Sequence, residues 1–193
     1  MQQLVFATNN PHKLHEVAAK LNGRIKVLSL GDIGCNDDIP ETGQTLRDNA
    51  SIKGHYVHQK YKLNCFADDS GLEVDALNGE PGVRSARYCG QYGNHEANMD
   101  KVLMQLGDNP ERKARFRTVI SLIWNSEEHF FEGTVEGTIR RERAGKSGFG
   151  YDPIFQPDGY GQTFAEMSLE QKNSISHRAK AVDQLVAFLD GVT

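Results

Sequence analysis

The stretch Leu4-Val5-Phe6-Ala7-Thr8-Asn9-Asn10-Pro11-His12-Lys13 carries the reading of the fold. Its first four residues are apolar and too few for a helix, so they predict a buried strand. Thr8-Asn9-Asn10 makes a turn, and Pro11 suits the first position of a helix, where no N–H is needed. Leu14, Val17, Ala18 and Leu21 then recur at helical spacing as far as Gly23, and Ile25, Val27 and Leu28 predict a second strand. A strand–loop–helix–strand opening is the start of an α/β protein.

Further along, Thr45 to Leu63 has a mostly helical pattern, and Cys65-Phe66-Ala67 is a short buried strand that runs into Asp68-Asp69-Ser70-Gly71. Asn94 to Leu106 reads as a helix with Gly107 beyond its end. Arg115 to Asn125 and Phe130 to Ile139 are the longest β-rich runs, with Ser126-Glu127-Glu128 as the turn of an antiparallel hairpin. Val182, Leu185, Val186 and Leu189 mark a last amphipathic helix, ended by Gly191. Early parallel and late antiparallel strands predict a mixed sheet with helices on both sides. No repeat and no low-complexity linker divides the chain, which predicts one domain over residues 1–193.

A chain of 193 residues can bury a core without disulfides or a structural metal. With 38% hydrophobic and 25% charged residues it is not of the disordered class. The net charge of −4 lacks the basic excess of a nucleic-acid surface, yet a few local cations suffice for a small anionic substrate. Cys35, Cys65 and Cys89 are odd in number and match no zinc spacing, which predicts free thiols in a reducing compartment. The first residues show no basic region and no long apolar run, and no stretch approaches the ~18 apolar residues of a membrane span. The expectation is a cytoplasmic protein with neither a membrane nor a nucleic-acid partner.

Five segments carry chemistry. Thr8 to Lys13 places hydroxyl, amide and ammonium groups at a helix N-terminus, whose free N–H groups attract phosphate; the same Thr and Asn also serve as a helix cap. Asp68-Asp69-Ser70-Gly71 puts two carboxylates at the tail of an apolar strand, where they are costly without a compensating cation. Magnesium supplies one, and a carboxylate not fully committed to it can take a proton from an attacking water. The alternative is an Asx turn closed by Gly71. Glu41, in the loop Pro40-Glu41-Thr42-Gly43, is a further metal ligand or a solvated acid. Gly148-Phe149-Gly150-Tyr151-Asp152-Pro153 sets aromatics among glycines, fit for stacking on a base or for a packed turn. Lys172-Asn173-Ser174-Ile175-Ser176-His177-Arg178 gathers two cations and a histidine before the last helix, with Ser176 as the alternative cap.

These segments, in this order and with Pro81-Gly82-Val83-Arg84-Ser85-Ala86-Arg87, resemble the inosine/xanthosine triphosphate pyrophosphatase family, the Ham1-like proteins, over nearly the whole chain. The resemblance implies an α/β, two-lobed ITPase-like fold with a long mixed β-sheet flanked by helices and a cleft between lobes, and a homodimer. It implies magnesium-dependent hydrolysis of a purine nucleoside triphosphate (ITP, dITP or XTP) to the monophosphate and pyrophosphate, a house-cleaning role in nucleotide metabolism. Carried over by position, Thr8, Asn10 and Lys13 hold the triphosphate, and Asn9, Pro11 and His12 of the same loop contact the substrate. Asn9 stands where the family often has Gly. Glu41, Asp69 and Asp68 surround Mg2+, and Asp69 is also the proton acceptor. Ser70, Phe149, Gly150, Tyr151, Asp152, Lys172, His177 and Arg178 contact the nucleotide, with Phe149 stacked on the base and His177 and Arg178 at the purine edge. A pyrophosphatase for other nucleotides and a nucleotide-binding regulatory module without catalysis are the competing readings. Paired acids speak against the second, because binding phosphate does not require them.

Overall fold

A computed structural model describes residues 3–21 and 23–192. Strand β1 (Gln3–Phe6) pairs in parallel with β2 (Lys26–Leu28) and with β3 (Cys65–Val74). Strands β4 (Lys113–Trp124) and β5 (Glu127–Ile139) follow, and β5 pairs antiparallel with β6 (Phe155–Pro157). The sheet is six-stranded and mixed, in the order β2-β1-β3-β4-β5-β6. The helices are α1 (Pro11–Leu21), α2 (Leu46–Tyr61), α3 (His95–Leu106), α4 (Leu169–Ile175) and α5 (His177–Gly191). Among the described residues no helix is long and apolar enough to cross a membrane.

The chain forms two compact units. The first is Met1–Asp69, Thr118–Gly133 and Arg178–Thr193; the second is Ser70–Arg117 and Thr134–His177. In the first unit the sheet is buried on both faces, and alternation along each strand decides which face a residue takes. Leu4, Phe6, Phe66, Ile120 and Leu122 join Val17 and Leu21 of α1 and Val182, Leu185 and Leu189 of α5. Val5, Ala7, Cys65, Ala67 and Ile123 join Val57 of α2. Two-sided burial is why these strands read as continuous apolar runs. Phe6 and Phe66 stack with ring centroids 4.4 Å apart. In the second unit Leu72, Val74, Phe116, Phe155 and Phe164 pack with Met99 and Val102 of α3.

The expected elements form, with three differences. β3 does not stop at Ala67 but runs ten residues through Asp68-Asp69-Ser70-Gly71 to Val74. The acidic pair therefore lies inside a strand, and the Asx turn is not formed. Gly71 is obligate there, since a Cβ would come within 2.4 Å of the Gly82 carbonyl oxygen. The turn between β4 and β5 is Asn125-Ser126 alone, both residues at positive φ, which makes it a two-residue hairpin connection. Strand β6 and helix α4 are additions to the expected set. Helix α4 begins on a capping box between Ser168 and Gln171.

Candidate active site

Alternation along β3 separates the two acids. Asp68 shares the parity of Phe66 and meets α1 and α5. Its Oδ1 accepts from Lys13 Nζ at 3.0 Å and its Oδ2 from Arg178 Nε at 3.0 Å. Glu16, one turn beyond Lys13 on α1, accepts from Arg178 Nη1. Asp69 shares the parity of Cys65 and Ala67 and meets α2. Its Oδ2 accepts from Asn49 Nδ2 at 3.0 Å. Lys53, one turn further along α2, donates to Glu41 Oε1 at 2.6 Å and to the Asp68 backbone carbonyl at 2.7 Å.

The charges follow from this geometry. Burial alone would raise the Asp68 pKa, but Lys13, Arg178 and Lys53 outweigh it and hold the carboxyl well below its ordinary value. Burial raises Asp69, and Glu41 adds to the rise, against Lys53, Lys13 and the Asn49 hydrogen bond. Burial pulls Lys53 down, yet Asp69, Glu41 and Asp68 keep it above the usual lysine range. Lys13 is lowered by burial in spite of Asp68. One acid is thus locked as an anion between cations, and its neighbour is an easier proton acceptor.

A magnesium ion fits this donor set. It takes one or two protein carboxylates and fills its shell with water and phosphate oxygens. Glu41 and Asp69 offer two, and the repulsion between them is what a divalent cation relieves. Among the described residues no group of three or more His, Cys, Asp and Glu is placed to hold a metal ion. Both Asp68 oxygens face protein cations.

At the first loop, Asn10 Oδ1 accepts from the N–H groups of His12 at 2.9 Å and Lys13 at 3.2 Å, and Thr8 Oγ1 accepts from Asn10 N–H at 3.1 Å. Asn10 therefore caps α1 while Lys13 carries its ammonium to the acids. Asn9, Pro11 and His12 are exposed.

A second group lies in the second unit. Asp152 Oδ2 accepts from Phe149 N–H at 2.9 Å and from Lys172 Nζ at 2.6 Å. The Lys172 ammonium is 5.2 Å from the Phe149 ring centroid. A Cβ on Gly148, at φ +74, would sit 2.1 Å from Asp152 Oδ2, so only glycine allows this closure. His177 stacks on Phe116 with centroids 4.7 Å apart. Tyr151 is buried, and its hydroxyl donates to the Ser85 carbonyl at 2.7 Å. Gly150, also at positive φ, has open space at its Cα, and Ser70 is half-buried. The chain passes between the units at Asp69-Ser70 and at His177-Arg178.

The first unit thus gathers Lys13, Glu41, Asp68, Asp69 and Arg178, and the second gathers Phe149, Asp152 and Lys172. Sequence reading missed Lys53, Asn49 and Glu16. A signal for two of them was present. Leu46, Asn49, Ala50, Lys53, Gly54 and Val57 form one buried helical stripe, and an amide and an ammonium inside it need partners.

Comparison with known proteins gives the family. Residues 4–188 match the model of the Ham1 family. A protein of Flavobacterium psychrophilum named dITP/XTP pyrophosphatase is 55% identical over 186 residues, which are 96% of this chain and 98% of that one. A protein of the same name from Porphyromonas gingivalis is 56% identical over 190 residues, 98% of each chain. The solved structure of the Staphylococcus aureus Ham1 protein superposes with a TM-score of 0.89 at 41% identity and full coverage of both chains. The chain belongs to the Ham1 family.

Proposed function

We propose that this chain hydrolyses ITP, dITP and XTP to the nucleoside monophosphate and pyrophosphate, with magnesium, and so removes deaminated purines from the nucleotide pool. The observation that carries the reading is the division of labour on β3. Asp69 has a raised pKa and neighbours Glu41, Asn49 and Lys53, beside an Asp68 held ionised by two cations. Asp69 takes the proton of the water that attacks the α-phosphorus. Lys13 and Lys53 stabilise charge on phosphate oxygens in a water-poor setting, where such contacts are strongest. Glu41 and Asp69 hold the magnesium ion, which when bound neutralises charge on the triphosphate. We assign Asp68 to holding Lys13 and Arg178 rather than to the metal, and Arg178 to the same framework. The Thr8 to Lys13 turn meets the triphosphate.

In the second unit, Phe149 stacks on the base, and Asp152 sets both the Phe149 backbone and the Lys172 ammonium. Lys172 is a donor without an acceptor's role. It suits the 6-oxo group of hypoxanthine or xanthine and leaves the adenine 6-amino group unpaired, a mismatch that costs orders of magnitude in rate. Ser70 and His177 complete the nucleoside contacts, and buried Tyr151 supports the loop. Residues 1–193 act as one catalytic unit, working as a cytoplasmic homodimer.

A pyrophosphate-release assay over deaminated and natural nucleotides, with and without magnesium, tests this. Release from ITP, dITP and XTP should require magnesium and far exceed release from ATP. Asp69→Asn should lose at least ~10²-fold in kcat, the usual worth of a general base. A preference for dTTP or UTP, or near-normal turnover by that variant, refutes the assignment.

A further inference from the structure

Asn49 has no role in the mechanism above, yet its side-chain amide is hydrogen-bonded at both ends. It is fully buried on α2, 0% exposed. Its Oδ1 accepts from the Gly43 N–H at 2.8 Å, and its Nδ2 donates to Asp69 Oδ2 at 3.0 Å. The orientation of the amide is not arbitrary. A backbone N–H can only donate, so Oδ1 must face Gly43, and Nδ2 is then the group presented to Asp69. Asp69 Oδ2 is therefore held as an acceptor. Gly43 itself admits no side chain, since a Cβ would lie 2.7 Å from Asn49 Oδ1 and 2.5 Å from the Asp48 Cβ. Glu41, two residues before Gly43, is gripped by Lys53, which follows Asn49 by one turn on the same helix.

We propose that Asn49 is a positioning residue that ties the Asp69 carboxylate and the Glu41 loop into one frame, so that the two carboxylates reach a divalent cation together. This rests on the pyrophosphatase reading above. An amide is planar, so its donor and acceptor ends keep a fixed angle. One rigid group on a helix thereby sets both the strand that carries Asp69 and the loop that carries Glu41. Lys53 does the same for Glu41 and the Asp68 carbonyl, and α2 thus supplies an i, i+4 pair of braces beneath the acids.

The discriminating variant is Asn49→Asp. It is nearly isosteric, keeps an acceptor for Gly43 N–H, and replaces the donor to Asp69 with a carboxylate oxygen, which also adds a negative charge. Two readouts are compared with wild type at equal native content, established by circular dichroism and thermal midpoint. One is kcat and KM for dITP. The other is Mn2+ affinity of the protein without nucleotide, by electron paramagnetic resonance. The expected result is a loss of ~10–100-fold in kcat, the range for groups that orient metal ligands, with KM within about threefold and a matching loss of Mn2+ affinity. A purely structural role would lower the thermal midpoint and leave kcat and Mn2+ affinity of the folded fraction unchanged, which overturns the proposal. Asn49→Ser, whose shorter side chain withdraws the amide from Asp69 without adding charge, is read in both assays by the same criteria, and a loss confined to Asn49→Asp, which the added charge alone explains, also overturns the proposal. Failure of wild type to release pyrophosphate from dITP or XTP would refute the pyrophosphatase reading instead, while the Mn2+ comparison would still decide the role of Asn49.

Discussion

Asp68 is 1% exposed and Asp69 7%, and the first sits between Lys13 and Arg178 at 3.0 Å from each. Removing one charge from such a buried set leaves the others uncompensated. Asp68→Asn should therefore cost about 3–5 kcal/mol of unfolding free energy, measured by urea titration at pH 7. The pH dependence has a definite sign. Asp68 titrates lower in the folded than in the unfolded chain, so its contribution is fully present above its unfolded pKa and fades as pH falls toward its folded one. The stability gap between wild type and variant should be constant from pH 8 to pH 5 and shrink below about pH 4. A gap that stayed constant in acid would mean the charge of Asp68 does not matter. That two adjacent carboxylates have opposite tasks was half legible in the sequence. Their position after an apolar strand marked them as costly. Which one met the cations depended on strand parity, and parity was hidden because β3 seemed to end at Ala67.

At the scale of elements, polar residues misled where tertiary partners satisfy them. Asp68, Asp69 and Ser70 read as the end of a strand, yet β3 continues because Lys13, Arg178 and Asn49 meet the acids. Lys53 was not singled out within the helical stretch Thr45 to Leu63, although it falls on the buried stripe of α2. The turn moved for a different reason. Ser126-Glu127-Glu128 suits a three-residue loop, but Glu128 is drawn into β5, where it accepts from Ser121 Oγ at 2.7 Å and lies 3.1 Å from His55. That leaves Asn125 and Ser126 at φ +50 and +69. Asn tolerates this region and Ser does so less well. Ser126→Gly should raise the urea midpoint, by up to about 1 kcal/mol of stability, as left-handed strain is relieved against the greater freedom of glycine when unfolded. Ser126→Val should lower it by about 1–2 kcal/mol. The same direction of change in both variants would contradict the turn conformation.

The two units were not legible as units, because every crossing between them falls inside an element and none in a linker. Asp69-Ser70 is within β3, Arg117-Thr118 within β4, Gly133-Thr134 within β5, and His177-Arg178 at the start of α5. Composition shifts and Gly/Pro-rich joints, the usual marks of a boundary, have no place in a paired strand. The cysteines offer a way to ask which unit takes the phosphates. Cys65 belongs to the first unit, is 0% exposed, and donates to the Gly54 carbonyl at 3.2 Å. Burial pushes its pKa up to about 12. Only about one thiol in 10⁴ is thiolate at pH 8, so Cys65 should be modified only when its surroundings open. Cys35 is also buried, and half-buried Cys89 in the second unit should react first with dithiobis-nitrobenzoate. In the Asp69→Asn variant, which should bind dITP without consuming it, magnesium and dITP at 100 times the dissociation constant should slow Cys65 modification about 100-fold, read by mass spectrometry of its peptide. Magnesium pyrophosphate should also slow it, since Lys13, Lys53, Glu41 and Asp69, the groups proposed to face the phosphates, lie in that unit, whereas inosine, which has no phosphate, should leave it unchanged. If dITP protects Cys65 but pyrophosphate does not, the nucleoside rather than the phosphates stabilises the first unit, and the assignment of the two groups must be exchanged.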